Sequence, residues 1–129
     1  GLSGEWVDLT QTCKNLGQKP LCRITGTLRV FNPGTAIAGP SVVRFFLSAD
    51  TTLDGTDPVL GDEPVGALGS GVEVLVPLDI RLRPGESASG QFVIAVVDAD
   101  NDVPEANEEN NVVVSPPIPL LSEELTRGL

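Results

Sequence analysis

The chain has 129 residues, with 18 acidic and 8 basic side chains, a formal net charge of −10 and no histidine. This excess of negative charge argues against nucleic acids and anionic membranes as partners, because like charges repel. Hydrophobic residues make up 40% of the chain but aromatic residues only 4%, so aliphatic side chains must fill the core of a single domain. No apolar run reaches the roughly 18 residues that a membrane-spanning helix needs.

The first predicted strand, Glu5–Thr12, leads into a short loop between two cysteines, Cys13 and Cys22. These form either a disulfide bond or two free thiols. We favour the disulfide, which would contribute about 2–3 kcal/mol in the chain-entropy model and would indicate an extracytoplasmic location. The chain starts at Gly1, which is typical of a processed or excised segment whose targeting peptide lies elsewhere.

The next two strands are predicted from the alternation of apolar and polar residues. In Cys22–Phe31, one face is formed by Cys22, Ile24, Leu28 and Val30. The turn residues Asn32-Pro33-Gly34 follow. Ser41–Ser48 is the next strand, and its predicted inward face consists of Val43, Phe45 and Leu47.

The second half of the chain continues this pattern. Short extended segments around Val59 and Val65 precede Val72–Leu82, where Pro77 predicts an edge strand or a bulge because proline cannot donate to a ladder. Gln91–Asp98 is the most apolar run, with one face formed by Phe92, Ile94 and Val96. Asn111–Ser115 is the last predicted strand.

Short strands separated by Gly- and Pro-rich turns predict an all-β fold, an antiparallel β-sandwich of about seven strands. We assign residues 1–115 to this sandwich. Residues 116–129 are predicted to form a Pro-rich C-terminal tail or linker, in which Ser122 could cap a short helix.

Four segments share a recognisable pattern. They are Val43-Arg-Phe-Phe-Leu-Ser-Ala-Asp50, Leu53-Asp54, Ile94-Ala-Val-Val-Asp-Ala-Asp-Asn101 and the most specific one, Glu105-Ala-Asn-Glu-Glu-Asn-Asn111. Together they resemble the cell-adhesion-related domain of bacteria called CARDB, over about Val7–Ser115. The resemblance implies an immunoglobulin-like sandwich from a secreted or cell-surface protein of a prokaryote, often present in tandem copies. The cysteine-flanked loop and the Pro-rich tail depart from the family pattern.

The stretch before the last strand is rich in carboxylates and amides, which are ligands that calcium prefers. A loop between adjacent strands brings its two ends close together, so this stretch is a candidate calcium site. Its candidate ligands are Asp98, Asp100, Asn101, Glu105, Asn107, Glu108 and Asn111. Asp50, Asp54 and Asp57 form a second, weaker candidate. The alternative is that these side chains only bond to backbone N–H groups and hold their turns in shape.

Catalysis is not predicted. Without histidine the chain lacks the usual general base, and no serine lies in a nucleophile-elbow pattern. Paired carboxylates can hydrolyse glycosides, but one Trp and 4 Phe, most of them at core-like positions, leave few aromatic platforms for a sugar.

Several residues are candidates for partner binding. Trp6 either anchors a partner or covers the end of the sandwich as part of the core. Phe31 and Phe46 are expected on outer faces, as a contact patch or under the terminal tail, unless the strand registers differ. Pro116, Pro117 and Leu120 lie in the exit segment.

Three functions fit these observations. The first is a non-catalytic extracellular or cell-surface module for adhesion, spacing or protein–protein interaction, with tandem copies, other domains or a homo-oligomer as partners. The second is a structural subunit whose segment Val112–Leu121 adds to the sheet edge of a neighbour. The third is a calcium-dependent ligand-binding module.

Overall fold

The computed structural model of the chain describes residues 2–14, 19–97 and 112–118. All regular structure in these ranges is β-sheet, in two antiparallel sheets with the strand orders β1-β2-β5 and β4-β3-β6-β7. The strands are β1 (Ser3–Lys14), β2 (Leu21–Phe31), β3 (Ser41–Ser48), β4 (Val59–Val65), β5 (Glu73–Arg81), β6 (Phe92–Val97) and β7 (Val112–Val114). The predicted antiparallel β-sandwich of about seven strands is confirmed.

The core lies between the two sheets and is almost entirely aliphatic. Phe45 of β3 is fully buried at its centre, surrounded by Val, Leu, Ile and Ala side chains from both sheets. The predicted inward face of β2 is correct, since Cys22, Ile24, Leu28 and Val30 are all buried. Aliphatic side chains on alternate positions of facing strands therefore supply the apolar burial that drives folding.

Strand β6 shows where alternation alone was insufficient. Phe92, Ile94 and Val96 do share one face, but it is the outer face of the four-stranded sheet. The core side of β6 is formed instead by Val93, Ala95 and Val97. Because β6 is apolar on both faces, only its pairing with β3 determines which set faces the other sheet.

The three-stranded sheet has an edge strand that contains a proline and another strand that contains a bulge. β5 is an edge strand, as Pro77 predicted, because an edge position does not require every backbone donor. In β1 the register shifts between Trp6 and Asp8, which leaves Val7 as the extra residue of a bulge. Gly26 of β2 faces this region, where an added Cβ would come within 2.8 Å of the Asp8 carbonyl oxygen.

The core extends beyond residue 115. The Ile118 side chain is buried, its N–H donates to the Gln91 carbonyl at 2.7 Å, and its carbonyl accepts from the Gly90 N–H at 2.8 Å. Residues 112–118 therefore follow β6 of their own sandwich in this structure, rather than leaving it. Residues 119–129, including the predicted helix cap Ser122, lie outside the described ranges.

Candidate functional site

The two cysteines form a disulfide bond, as predicted. Cys13 and Cys22 lie directly opposite each other in the β1–β2 ladder, and their sulfur atoms are bonded. Both side chains are buried. The disulfide thereby joins two strands near the end of the three-stranded sheet.

The outer face of the three-stranded sheet is mainly polar, although Leu21 and Leu75 are exposed on it. Arg23 donates through Nε to Asp79 Oδ1 at 2.7 Å and through a second nitrogen to the other carboxylate oxygen. Arg29 forms an ion pair with Glu5, and the hydroxyls of Thr10 and Thr25 lie 3.2 Å apart. Cross-strand pairs of this kind suit a face that contacts water.

The outer face of the four-stranded sheet is apolar at its centre. Its side chains form a group that we call the outer patch: Phe46, Phe92, Ile94, Val96, Val112 and Val114. Ile94 is fully buried although it lies outside the core between the sheets, and it pairs with Phe46 and Val114 on the two neighbouring strands. Val112 and Val114 are 44% and 36% exposed. Apolar surface therefore remains in contact with solvent along β7.

The residues proposed for partner binding do not form one site. Phe46 lies in the outer patch, whereas Phe31 lies on the outer face of the other sheet, between Ser3 and Glu73. Trp6 packs at the side of the core, with its ring 5.8 Å from that of Phe45.

The Trp6 indole N–H also donates to the Val113 carbonyl at 3.2 Å, so this side chain links an edge strand of one sheet to an edge strand of the other. Pro116 and Pro117 are exposed beyond β7, and Leu120 lies outside the described residues.

Sequence reasoning did not place Ile94, Val112 and Val114 on the outer face of the four-stranded sheet. Each belongs to a run that is apolar on both faces, so periodicity does not distinguish the core side from the outer side. The pairing of Ile94 with both Phe46 and Val114 becomes visible only in the assembled sheet.

The principal candidate calcium ligands, Asp98 through Asn111, lie outside the described residues. The second candidate group, Asp50, Asp54 and Asp57, accepts hydrogen bonds from backbone N–H groups of its own loop. Asp50 accepts from the Thr52 N–H at 3.0 Å, Asp54 from the Thr56 N–H at 2.8 Å, and Asp57 from the Asp54 N–H at 3.0 Å. Hydrogen bonds from Thr56 lower the pKa of Asp54. Within the described ranges, no cluster of three or more His, Cys, Asp or Glu side chains could hold a metal ion.

An ion pair borders the outer patch. Arg44 on β3 donates two hydrogen bonds to Asp62 on β4, each 2.8 Å long. These hydrogen bonds are the main cause of a lowered pKa at Asp62, and desolvation opposes them. A carboxyl whose pKa is lower in the folded chain stabilises the fold above its unfolded pKa, and that contribution is lost as the pH falls through the folded value.

We expect Asp62→Asn to be less stable than the parent chain at pH 6, and this difference in stability to shrink as the pH falls through the folded pKa of Asp62, which lies below its ordinary value. Chemical denaturation across this pH range measures the difference. Asp57→Asn serves as a control on another loop, since its carboxylate accepts from backbone rather than from arginine. If the free energies of unfolding of the parent chain and Asp62→Asn differed by the same amount at every pH, the prediction would be contradicted.

The comparison with protein families decides the classification. The CARDB family model matches residues 6–115. The chain belongs to the CARDB family. The resemblance drawn from the four sequence segments is therefore correct, and the immunoglobulin-like sandwich that it implied is the fold observed.

Solved structures share this fold at low identity. A CARDB domain from Pyrococcus furiosus, solved in complex with di-metal ions, is 20% identical, with a TM-score of 0.54, and the match covers 93% of this chain and 94% of that one. A β-glucosidase from Kluyveromyces marxianus in complex with glucose is 18% identical, with a TM-score of 0.56 over 89% of this chain and 13% of the enzyme. A β-glucuronidase of glycoside hydrolase family 2 is 14% identical, with a TM-score of 0.54 over 88% and 11%.

These two enzyme matches cover only a small part of each enzyme, so they show a shared sandwich and no shared activity. No curated protein sequence matches the chain significantly. In the parts of the chain that the structure describes, no helix is long and apolar enough to cross a membrane.

Proposed function

We propose that this CARDB domain is a non-catalytic, extracytoplasmic interaction module that docks a neighbouring protein domain on its outer patch. The observation that carries the proposal is the contrast between the two outer faces. One carries cross-strand ion pairs and threonines beside scattered exposed residues such as Leu75, whereas the other groups its apolar side chains on three neighbouring strands around the buried Ile94. A protein–protein contact forms where apolar surface can be removed from water.

The chemistry of the outer patch favours a folded protein with an aliphatic surface. Sugar-binding surfaces usually present exposed aromatic rings, but Trp6 is engaged with Phe45 and Val113. The Arg44–Asp62 ion pair at the rim is neutral overall, so it does not select a charged partner. In the enzymes cited above, a similar sandwich is one part of a much longer chain, which supports a neighbouring domain as the partner.

Two features support the remaining parts of the proposal. The Cys13–Cys22 disulfide supports an oxidising, extracytoplasmic environment, because such bonds rarely persist in the cytosol. The absence of histidine from the chain supports a non-catalytic role, since histidine is the most frequent general acid or base.

Hydroxyl-radical footprinting tests the docking surface. We expect Phe46, Val112 and Val114 to be labelled in this chain alone and protected in the native protein as isolated from its host, with its flanking sequence and partners. Leu75, 58% exposed on the other outer face, serves as the internal reference and should be labelled equally in both samples. Equal labelling of the outer patch in both samples would refute the proposal.

A pair of matched variants separates docking from stability. Val112→Thr with Val114→Thr makes the outer patch polar while keeping β-branched side chains, and Val7→Thr with Val72→Thr makes the same change at residues 56% and 48% exposed elsewhere. Small-angle scattering of the native protein should show a more extended arrangement for the first pair only. The same scattering profile for both pairs would count against the outer patch.

Calcium binding is a second candidate, favoured by the di-metal ions described for the Pyrococcus furiosus CARDB domain. We propose that Asp98, Asp100, Asn101, Glu105, Asn107, Glu108 and Asn111 supply the oxygen ligands. These residues offer the hard carboxylate and amide oxygens that calcium prefers over nitrogen or sulfur.

Thermal denaturation tests this second proposal. Calcium should raise the melting temperature in a concentration-dependent way, because a ligand that binds only the folded state stabilises it. Asp100→Asn with Glu105→Gln should abolish the increase, whereas Asp50→Asn with Asp57→Asn, in the other acidic loop, should preserve it. An equal response in both variants, or none in the parent chain, would refute calcium binding at this loop.

A further inference from the structure

The basic side chains of this acidic protein are unevenly distributed. The whole chain has only 8 of them. Most lie around the end of the three-stranded sheet that carries the disulfide: Lys14, Lys19, Arg23, Arg81 and Arg83. A hydrogen bond of 2.9 Å from the Gly85 N–H to the Pro20 carbonyl holds the turn after β5 beside the segment that leads into β2. The fold thereby concentrates positive charge at one place.

Two of these cations lie directly opposite each other. Arg23 of β2 pairs in register with Arg81 of β5. In the next row, the Leu82 N–H donates to the Cys22 carbonyl at 2.9 Å. Narrow and hydrogen-bonded rows alternate in an antiparallel ladder, so the two arginines occupy a row in which side chains come close. Like charges in this arrangement are destabilising unless something compensates them.

Compensation within the described residues is incomplete. Asp79 engages Arg23 with both carboxylate oxygens, and this hydrogen bonding is the main cause of the lowered pKa of Asp79. The charge of Arg81 also lowers the pKa of Asp79, so Asp79 partly offsets Arg81 without forming an ion pair with it. Arg83 Nε lies 3.9 Å from Glu86 Oε1. Among the side chains that the structure describes, no carboxylate forms an ion pair with Lys14 or Arg81.

Lys14 and Arg81 both line one recess on this sheet. Its volume is about 370 Å³, and Thr12, Lys14, Leu21, Arg23 and Arg81 contribute to its walls together with Cys22. The disulfide fixes the strand that carries Thr12 and Lys14 against the strand that carries Arg23. The recess therefore has a lysine, an arginine and a threonine hydroxyl among the hydrogen-bond donors of its lining residues.

We propose that this recess binds a doubly charged oxyanion, sulfate or phosphate. Lys14 and Arg81 would each donate to the anion, the Thr12 hydroxyl would supply a neutral donor, and Arg23 would remain bound to Asp79. Two negative charges match the two cations that lack an ion pair, and charge-assisted hydrogen bonds to such anions are strong. The anion would also relieve the repulsion between Arg23 and Arg81. This site is independent of the outer patch, which lies on the opposite sheet.

The net charge of −10 does not prevent such binding. At physiological ionic strength the Debye length is about 8 Å, so acidic side chains far from the recess are largely screened from it. What the anion experiences is the local arrangement of Lys14, Arg81, Arg23 and Asp79.

Nuclear magnetic resonance of the full chain tests the proposal with inorganic sulfate and inorganic phosphate in separate titrations. Sodium chloride of matched ionic strength is the reference. We expect saturable shifts at the amides of Thr12, Lys14 and Arg81, with a dissociation constant in the millimolar range. Sulfate and phosphate binding equally would indicate recognition of charge and geometry, whereas a preference would identify the natural anion. Shifts no larger than those in sodium chloride would overturn the proposal.

Matched charge removals locate the site. Arg81→Gln should weaken binding at least about tenfold, whereas Arg83→Gln, which removes the same charge just outside the recess, should change it less than about twofold. Equal weakening by both variants would overturn the proposal.

Discussion

Replacing Phe45 by Ala should lower the free energy of unfolding by about 3–5 kcal/mol. The ring is fully buried at the centre of the sandwich, in contact distance of Trp6, and the chain has few other aromatic residues to close the resulting cavity. Domains of this size are stable by only about 5–15 kcal/mol, so the loss is a large fraction of the total. Equilibrium denaturation in guanidinium chloride measures it.

The adjacent residue is the matched control. Phe46→Ala removes the same atoms from the opposite face of β3, where the ring lies half-buried in the outer patch. Its expected cost is about 1–2 kcal/mol, since less apolar area returns to water. A loss for Phe46→Ala as large as that for Phe45→Ala would mean that the orientation of β3 described above is wrong.

The disulfide should produce the second largest effect. Replacing Cys13 and Cys22 together by Ala should reduce the free energy of unfolding by about 2–3 kcal/mol, because the bond restricts the unfolded chain across a sequence separation of 9 residues. Denaturation curves of the parent chain with and without a phosphine reductant should differ by a similar amount.

The double variant is also the control for the reductant, which should leave its transition midpoint unchanged. A parent chain whose midpoint is equally insensitive would show that the bond does not contribute to stability. Because Cys22 lines the recess together with Lys14 and Arg81, the double variant should also bind sulfate more weakly than the parent chain. Weaker sulfate binding by the double variant would show that the anion site depends on the disulfide at this end of the sheet.

Much of the fold followed from local patterns. The strict alternation of Cys22, Ile24, Leu28 and Val30 predicted the inward face of β2, and Pro77 predicted an edge strand. Both conclusions depend on properties of one segment at a time. A polar face must contact water, and a proline cannot donate to a ladder.

The candidate sites were less accessible to sequence reasoning. Phe46 was expected on an outer face, and the register confirms that position. Its neighbours in the outer patch come from β6 and β7 and were not expected there, because those strands are apolar on both faces. The recess was not predicted either, since Lys14 and Arg81 are distant in sequence and become neighbours only through β2.

The sequence by itself therefore determined the class of the fold, the membership in the CARDB family and the aliphatic character of the core, and it favoured the disulfide over two free thiols. These features depend on composition, spacing and short motifs, all of which are local. Only the tertiary structure decided which face of β6 is buried, that Trp6 joins the two sheets, and that Arg23 lies opposite Arg81. The physical reason is that strand pairing brings together residues far apart in the chain, and a shift of one residue in register would reverse every such contact.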